Sequence, residues 1–149
     1  MAPAAERVFV DSNVLLYALD SANPRKRASA AAWLDLLWRE GTGELSWQVL
    51  NEFYFNAVRK LNVPAPLARE RVRLFAVWRP REISLETVER AWRWMDQAKL
   101  SYWDALIVAT AEGCGASVLL TEDLQDGQRL GNCRVRSPFT ALPGASLSP

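Results

Sequence analysis

Short segments at 7–10 (RVFV), 44–47 (ELSW), 117–120 (SVLL) and 134–136 (RVR) are separated by longer stretches in which apolar residues recur every three or four positions. The short segments read as strands, and the longer pattern as helices. Strands separated by helices cannot pair as hairpins, so they line up in parallel beneath helical layers. Helices are expected over 13–19, 25–39, 48–61, 64–77, 85–98 and 101–112, and a further strand over 81–84. Their core faces are read as Leu34, Leu37 and Trp38; Leu50, Phe53, Tyr54, Ala57 and Leu61; and Leu85, Val88, Trp92 and Met95. No linker or internal repeat interrupts the pattern. The chain is therefore expected to be a single α/β domain over 7–142, with flexible termini at 1–6 (Ala/Pro-rich) and 143–149 (Pro/Gly/Ser-rich). In such sheets ligands bind beyond the carboxyl ends of the strands.

Composition removes several chemistries from that crevice. The 149 residues contain no histidine, which excludes Ser–His and Cys–His nucleophiles, an imidazole base and His-ligated metals. Cys114 and Cys133 are the only cysteines, too few for a zinc site and expected to be ordinary reduced thiols. No apolar run approaches the roughly 18 residues of a membrane span, and no leader-like start precedes the first strand. A cytoplasmic protein without membrane contact is expected. The net charge of +1 conceals an uneven distribution. Seven bases and one acid lie between Arg59 and Arg81, and five acids with no base lie between Leu100 and Gln128. An acidic block beside a basic one suits a cation-dependent enzyme acting on a polyanion.

Asp11 follows the first strand and Asp123 comes three residues after the 117–120 strand, while Glu52 and Asp104 lie in first turns of helices. Topology alone therefore sends four carboxylates to one rim. Each also has a plain structural explanation: a helix cap at Asp11, capping-box spacing at Ser101 and Asp104, a solvated helix face at Glu52, a turn at Asp123 and Asp126. Two such charges ~4 Å apart repel by about 4 kcal/mol at an effective dielectric near 20, so a cluster of them calls for a divalent cation. Oxygen ligands alone select Mg²⁺ or Mn²⁺, which acidifies a bound water and stabilises an in-line displacement at phosphorus. Hydrolysis of a phosphodiester then needs no imidazole.

At these residues the sequence resembles the PIN-domain family and, within it, the VapC-type ribonuclease toxins of toxin–antitoxin pairs. The resemblance runs from Arg7 to about Leu142. It rests on Val8-Phe9-Val10-Asp11-Ser12-Asn13-Val14-Leu15, on Glu52, on Ser101-Tyr102-Trp103-Asp104-Ala105-Leu106-Ile107, on Leu119-Leu120-Thr121-Glu122-Asp123-Leu124-Gln125-Asp126-Gly127, and on Ser137-Pro138-Phe139. It implies a three-layer α/β/α domain with a parallel sheet of about five strands. It also implies a Mg²⁺- or Mn²⁺-binding quartet of Asp11, Glu52, Asp104 and Asp123, supported by Asn13 and Thr121. The implied activity is endoribonuclease action on structured RNA by a homodimer, silenced by a VapB-like antitoxin. The sequence departs from the family pattern in two places. The acid that relatives often carry close behind the last Asp is here Asp126, three residues on, which leaves its place in the site open. Ser137 stands where an Asn is common.

Within the basic block, Arg69, Arg71 and Arg73 are the candidates for RNA contact, with a solvated helix face as the alternative. Among the seven tryptophans, Trp38 and Trp92 are read as core, Trp78 and Trp94 as interface residues, and Trp103 as a wall of the groove. Two other functional classes remain open. A haloacid-dehalogenase-like phosphohydrolase would need an Asp at the position of Asn13 and a suitably placed Lys. A catalytically inactive PIN-like module would bind protein or RNA through the same rim.

Overall fold

The computed structural model describes residues 5–141 and 143. Most of the expected flexible termini, at 1–4 and 144–149, lies outside the described residues.

Strand β1 (Val8–Val10) is wholly buried and stands near the centre of a five-stranded sheet of order β2-β1-β3-β5-β4. The other strands are β2 (Gly43–Glu44), β3 (Val118–Leu120), β4 (Arg129–Leu130) and β5 (Cys133–Arg136). All pairings are parallel except β4 with β5, a hairpin at one edge. Helices α1 (Ser12–Tyr17), α2 (Pro24–Glu40), α3 (Trp47–Arg59), α4 (Ala65–Phe75), α5 (Leu85–Ala98) and α6 (Tyr102–Gly113) connect and flank the strands, completing the expected three-layer α/β architecture. The sheet extends one way from β1 to β2 and the other way from β1 to β3, so the switch in strand order falls between β1 and β3. Both strands carry uninterrupted apolar sequence because both faces of the sheet are covered.

Helix ends follow local chemistry. Ser46, Ser84 and Ser101 cap α3, α5 and α6 through their hydroxyls, and Gly41 ends α2 in the left-handed conformation. Gly43 has a different role: a Cβ there would run into the Trp78 indole, which lies against this edge of the sheet. Beside it Glu44, 3% exposed, is paired with Arg7 at 2.7 Å and Arg81 at 3.0 Å. A buried carboxylate needs such partners, and Arg81 is thereby withdrawn from the basic block.

The structure corrects several expected core faces. In α2 the fully buried aromatic is Trp33, whereas Trp38 is 40% exposed and packs on Phe75 and Trp78 at the surface. In α5 the buried residue is Ala91, with Leu85 and Trp92 turned outward at 69% and 52% exposure. The reason lies in the packing partner. Helix α5 meets α6 through Ala91, Ala105, Leu106 and Ala109, a close approach that small residues permit and a tryptophan would prevent. Trp94, expected at an interface, is half-buried in that same junction and donates its indole N–H to Glu112. The strand expected over 81–84 is reduced to a single bridge between Arg81 and Ser46.

Candidate active site

Asp11 is the first residue beyond β1 and caps α1, its Oδ1 accepting the Ser12 N–H at 2.7 Å. Because Val10 pairs with Leu120 in parallel register, Thr121 leaves β3 beside Asp11. The Thr121 hydroxyl donates to Asp11 Oδ2 at 2.8 Å and accepts from Asn13 Nδ2 at 2.9 Å and from the Asp123 N–H at 3.1 Å. Asn13 Nδ2 also lies 3.4 Å from Asp11 Oδ2. Thr121, wholly buried, thus orients Asp11 and fixes the start of the segment bearing Asp123. The sheet's switch point explains the knot: two adjacent parallel strands deliver Asp11 and Thr121 to the same edge.

Glu52 reaches this edge from the second turn of α3, not from the first turn as expected, because the helix begins at Trp47 on its Ser46 cap. Its Oε2 accepts from Ser12 Oγ at 3.2 Å and its Oε1 from Gln48 Nε2 at 3.0 Å. Gln48 also donates to the Trp103 carbonyl at 3.2 Å, joining α3 to the first turn of α6, where Asp104 sits half-buried above its Ser101 cap. Ser12 and Gln48 were not among the expected site residues. The spacing of Gln48 one helical turn before Glu52 was the available signal. Glu122 was also missed: it bonds Tyr17 and pairs with Lys26 at 3.1 Å, tethering the Thr121–Asp123 segment to α1 and α2.

Asp126 goes elsewhere. Its oxygens accept from the Ser137 N–H at 2.9 Å and the Thr140 hydroxyl at 2.8 Å, fastening the C-terminal segment. The basic block also divides. Arg69 and Arg73 line one groove between α3 and α4, Arg71 lines a separate groove between α2 and α4, and Lys60 borders the cavity that contains Asn13 and Glu122. Trp103, 63% exposed, adjoins Asp104 in the first turn of α6 and packs edge-on against Tyr102.

The electrostatics favour a cation at this edge. Among the described residues, none of Asp11, Glu52, Asp104 and Asp123 forms an ion pair. Burial pushes the Asp11 carboxyl up to about 7; Asp123 and Glu52 add to this, while the Thr121 and Ser12 hydrogen bonds oppose it. Burial also raises Asp104, with the Asp123 charge adding to the effect and a Ser101 hydrogen bond opposing it. Asn13 Oδ1 is a buried acceptor with no hydrogen-bond donor, beside Asp11. All these donors are oxygens, so the residues fit a hard divalent ion. As the side chains stand, however, no three acids among the described residues close on a single ion.

The raised Asp11 has a measurable consequence for the metal-free protein. Its carboxyl stays protonated in the native state while the unfolded chain ionises near 4, so its contribution is present below about pH 4 and lost as pH rises to about 7. The loss is on the order of a few kcal/mol. Thermal melts in chelator from about pH 4 to pH 8 are expected to show wild type losing stability relative to Asp11→Asn across that interval. Parallel curves for the two proteins would refute the burial of an ionisable group at this position.

A doubly wound α/β domain with acids at the carboxyl edge of its central strands is the class that fold and site define. The PIN domain family model matches residues 8–126, and the chain belongs to that family. A comparison with curated proteins returned no match. Among solved structures, the fold is similar to a toxin–antitoxin complex from Klebsiella pneumoniae, with a TM-score of 0.61 and 22% identity over 88% of this chain and 97% of that one. It is similar to Mycobacterium tuberculosis VapC20, described as a sarcin-ricin loop cleaving toxin, with a TM-score of 0.60 and 23% identity over 75% and 86% of the two chains. A third likeness is to VapBC2 from Rickettsia felis bound to a promoter DNA fragment, with a TM-score of 0.60 and 18% identity over 87% and 97%. At these identities the likeness is one of fold.

Proposed function

We propose that the protein is a Mg²⁺- or Mn²⁺-dependent endoribonuclease and the toxin of a cytoplasmic toxin–antitoxin pair, acting as a homodimer and silenced by a VapB-like antitoxin. The observation that carries this reading is the Asp11–Thr121–Asn13–Asp123 knot at the switch point, faced by Glu52 and Asp104 and lacking any basic partner among the described residues. The toxin role draws on the PIN family and on the solved structures of similar fold.

Asp11, Glu52, Asp104 and Asp123 would hold the ion, whose chemistry is to acidify water and neutralise charge at the phosphodiester. Thr121, Asn13 and Ser12 fix the Asp11 oxygens through hydrogen bonds, and Ser12 and Gln48 fix those of Glu52. Trp103 shields one side of the edge and Lys60 supplies positive charge at another. Attack by water with departure of the 3′ oxygen leaves a 5′-phosphate and a 3′-hydroxyl.

The absence of a three-acid cluster among the described residues favours a second reading, an RNA- or protein-binding PIN module without catalysis. Purified protein incubated with a structured RNA and Mn²⁺ separates the two. Internal cleavage with 5′-phosphate ends, abolished by EDTA, is the expected result, and bound but uncut RNA would favour the module. Growth arrest on expression, relieved by a small partner protein, is expected of a toxin and not of a housekeeping nuclease.

A further inference from the structure

Helix α3 presents two neighbouring stripes. Gln48 and Glu52, one turn apart, face the carboxylate edge. Trp47, Asn51 and Tyr54, about 100° round the helix, line a separate cavity of about 270 Å³ whose opposite wall is Arg69, Val72 and Arg73 of α4. This cavity is smaller than the roughly 300–1,000 Å³ of most small-molecule sites, a size that suits a group no larger than a single nucleobase. Its floor is apolar, and Trp47 remains 39% exposed at its side. Arg69 donates from Nε to the Tyr54 hydroxyl at 3.1 Å, and its guanidinium lies 6.0 Å from the Tyr54 ring centroid. Neither Arg69 nor Arg73 forms an ion pair among the described residues, and no acid lines the cavity. Asn51, exposed at the rim, carries both an amide donor and a carbonyl acceptor.

We propose that this α3–α4 cavity is a nucleobase subsite that takes one unstacked base of single-stranded RNA, stacked on Trp47, with Asn51 at the base edge and Arg69 and Arg73 on the flanking phosphates. The inference rests on the ribonuclease reading and adds to it where the substrate is gripped and which residues set base preference. Stacking on an aromatic wall with guanidinium beside it is how unpaired bases are held, and an amide is the side chain that reads a base edge. A protein anchor would use the apolar floor but would have to bring acids for Arg69 and Arg73, whereas an RNA strand carries a phosphate on either side of every base. Since Asn51 and Glu52 are adjacent in one helix, a nucleotide held here lies next to the carboxylate edge. Arg71, on the other side of α4, takes no part.

The test is a titration of the full-length protein, in EDTA to prevent cleavage, with eight-nucleotide ribo-oligomers of A, C, G and U carrying a 5′ fluorescein, read by fluorescence anisotropy. Trp47→Leu is expected to weaken binding about 5- to 150-fold. Trp47→Phe is expected to restore most of it, and melting curves show that both variants are folded. Asn51→Leu is expected to change the ranking of the four oligomers. Arg73→Gln is expected to lower the slope of log affinity against log salt by nearly one, with Arg93→Gln, at an exposed position of α5 that does not line the cavity, as the control for charge alone. Wild-type affinity for all four oligomers in Trp47→Leu and Arg73→Gln would overturn the proposal. So would pocket variants that lose only binding to a partner protein, which would make the cavity a protein-docking site. If the wild type cleaves RNA and pocket variants do so with unchanged KM, the subsite falls and the ribonuclease reading stands. If the wild type neither binds nor cleaves RNA, both fall.

Discussion

Asp11→Asn is expected to reduce RNA cleavage by at least about a hundredfold while leaving the fold intact. The size follows from position. Asp11 is 5% exposed, stands at the switch point, and has both oxygens fixed, by Ser12, Thr121 and Asn13. Preorganised charge of this kind contributes about 10²–10³ in rate when a single group is removed. The substitution is close to isosteric, and it removes a charge that burial disfavours, so the metal-free variant should melt no lower than wild type at about pH 8. Lost activity with retained stability separates a catalytic role from a merely structural one. Thr121→Val, which deletes the hydroxyl that orients Asp11, is expected to cost less, about 10- to 100-fold, as a partner acting through a ligand. Initial rates on one RNA, with melting curves for each variant, check both values. An Asp11→Asn enzyme that keeps most of its rate would remove Asp11 from the chemistry.

Trp33→Ala is expected to destabilise the protein by about 3–5 kcal/mol, the usual cost of emptying a large buried aromatic site. Trp33 is fully buried in α2, and its indole N–H is shared by the carbonyls of Pro138 at 3.1 Å and Ala141 at 2.9 Å. The substitution therefore opens a cavity and also releases the C-terminal segment that Asp126 holds from the other side. Urea titration gives the stability, and limited proteolysis after residue 136 gives the release. Trp33→Phe should fall between the two, keeping most of the volume and losing the hydrogen bond. A loss under about 1 kcal/mol for the alanine variant would mean that α2 is not anchored through this residue.

The sheet and its site were legible in the sequence to different depths. Buried parallel strands must be apolar throughout and helices periodic, so β1, β3 and the six helices were readable to within a few residues, and β5, buried at alternate residues, was readable as a short strand. The β4–β5 hairpin was not, because Arg129–Leu130 is a two-residue edge strand with no pattern long enough to detect. Asp11 and Thr121 could be placed because the end of a parallel strand fixes where the next residue goes. The side-chain partners could not: Ser12 on Glu52 and the Lys26–Glu122 tether depend on how α1, α2 and α3 pack. The tryptophans misled for a related reason. Periodicity names a stripe, but the neighbour decides which part of it is covered, and at α5 the neighbour is an alanine-lined face of α6. Charge counts failed similarly, since Arg81 is consumed by Glu44 and Arg71 sits apart from Arg69 and Arg73.

The most direct test of the central claim is one assay: a 5′-labelled structured RNA incubated with wild type and Asp104→Asn, each with Mn²⁺ and with EDTA. Internal cleavage by wild type with Mn²⁺, and none in the other three lanes, is the predicted result. Equal cleavage by wild type in EDTA, or by Asp104→Asn with Mn²⁺, would contradict hydrolysis by carboxylate-held metal.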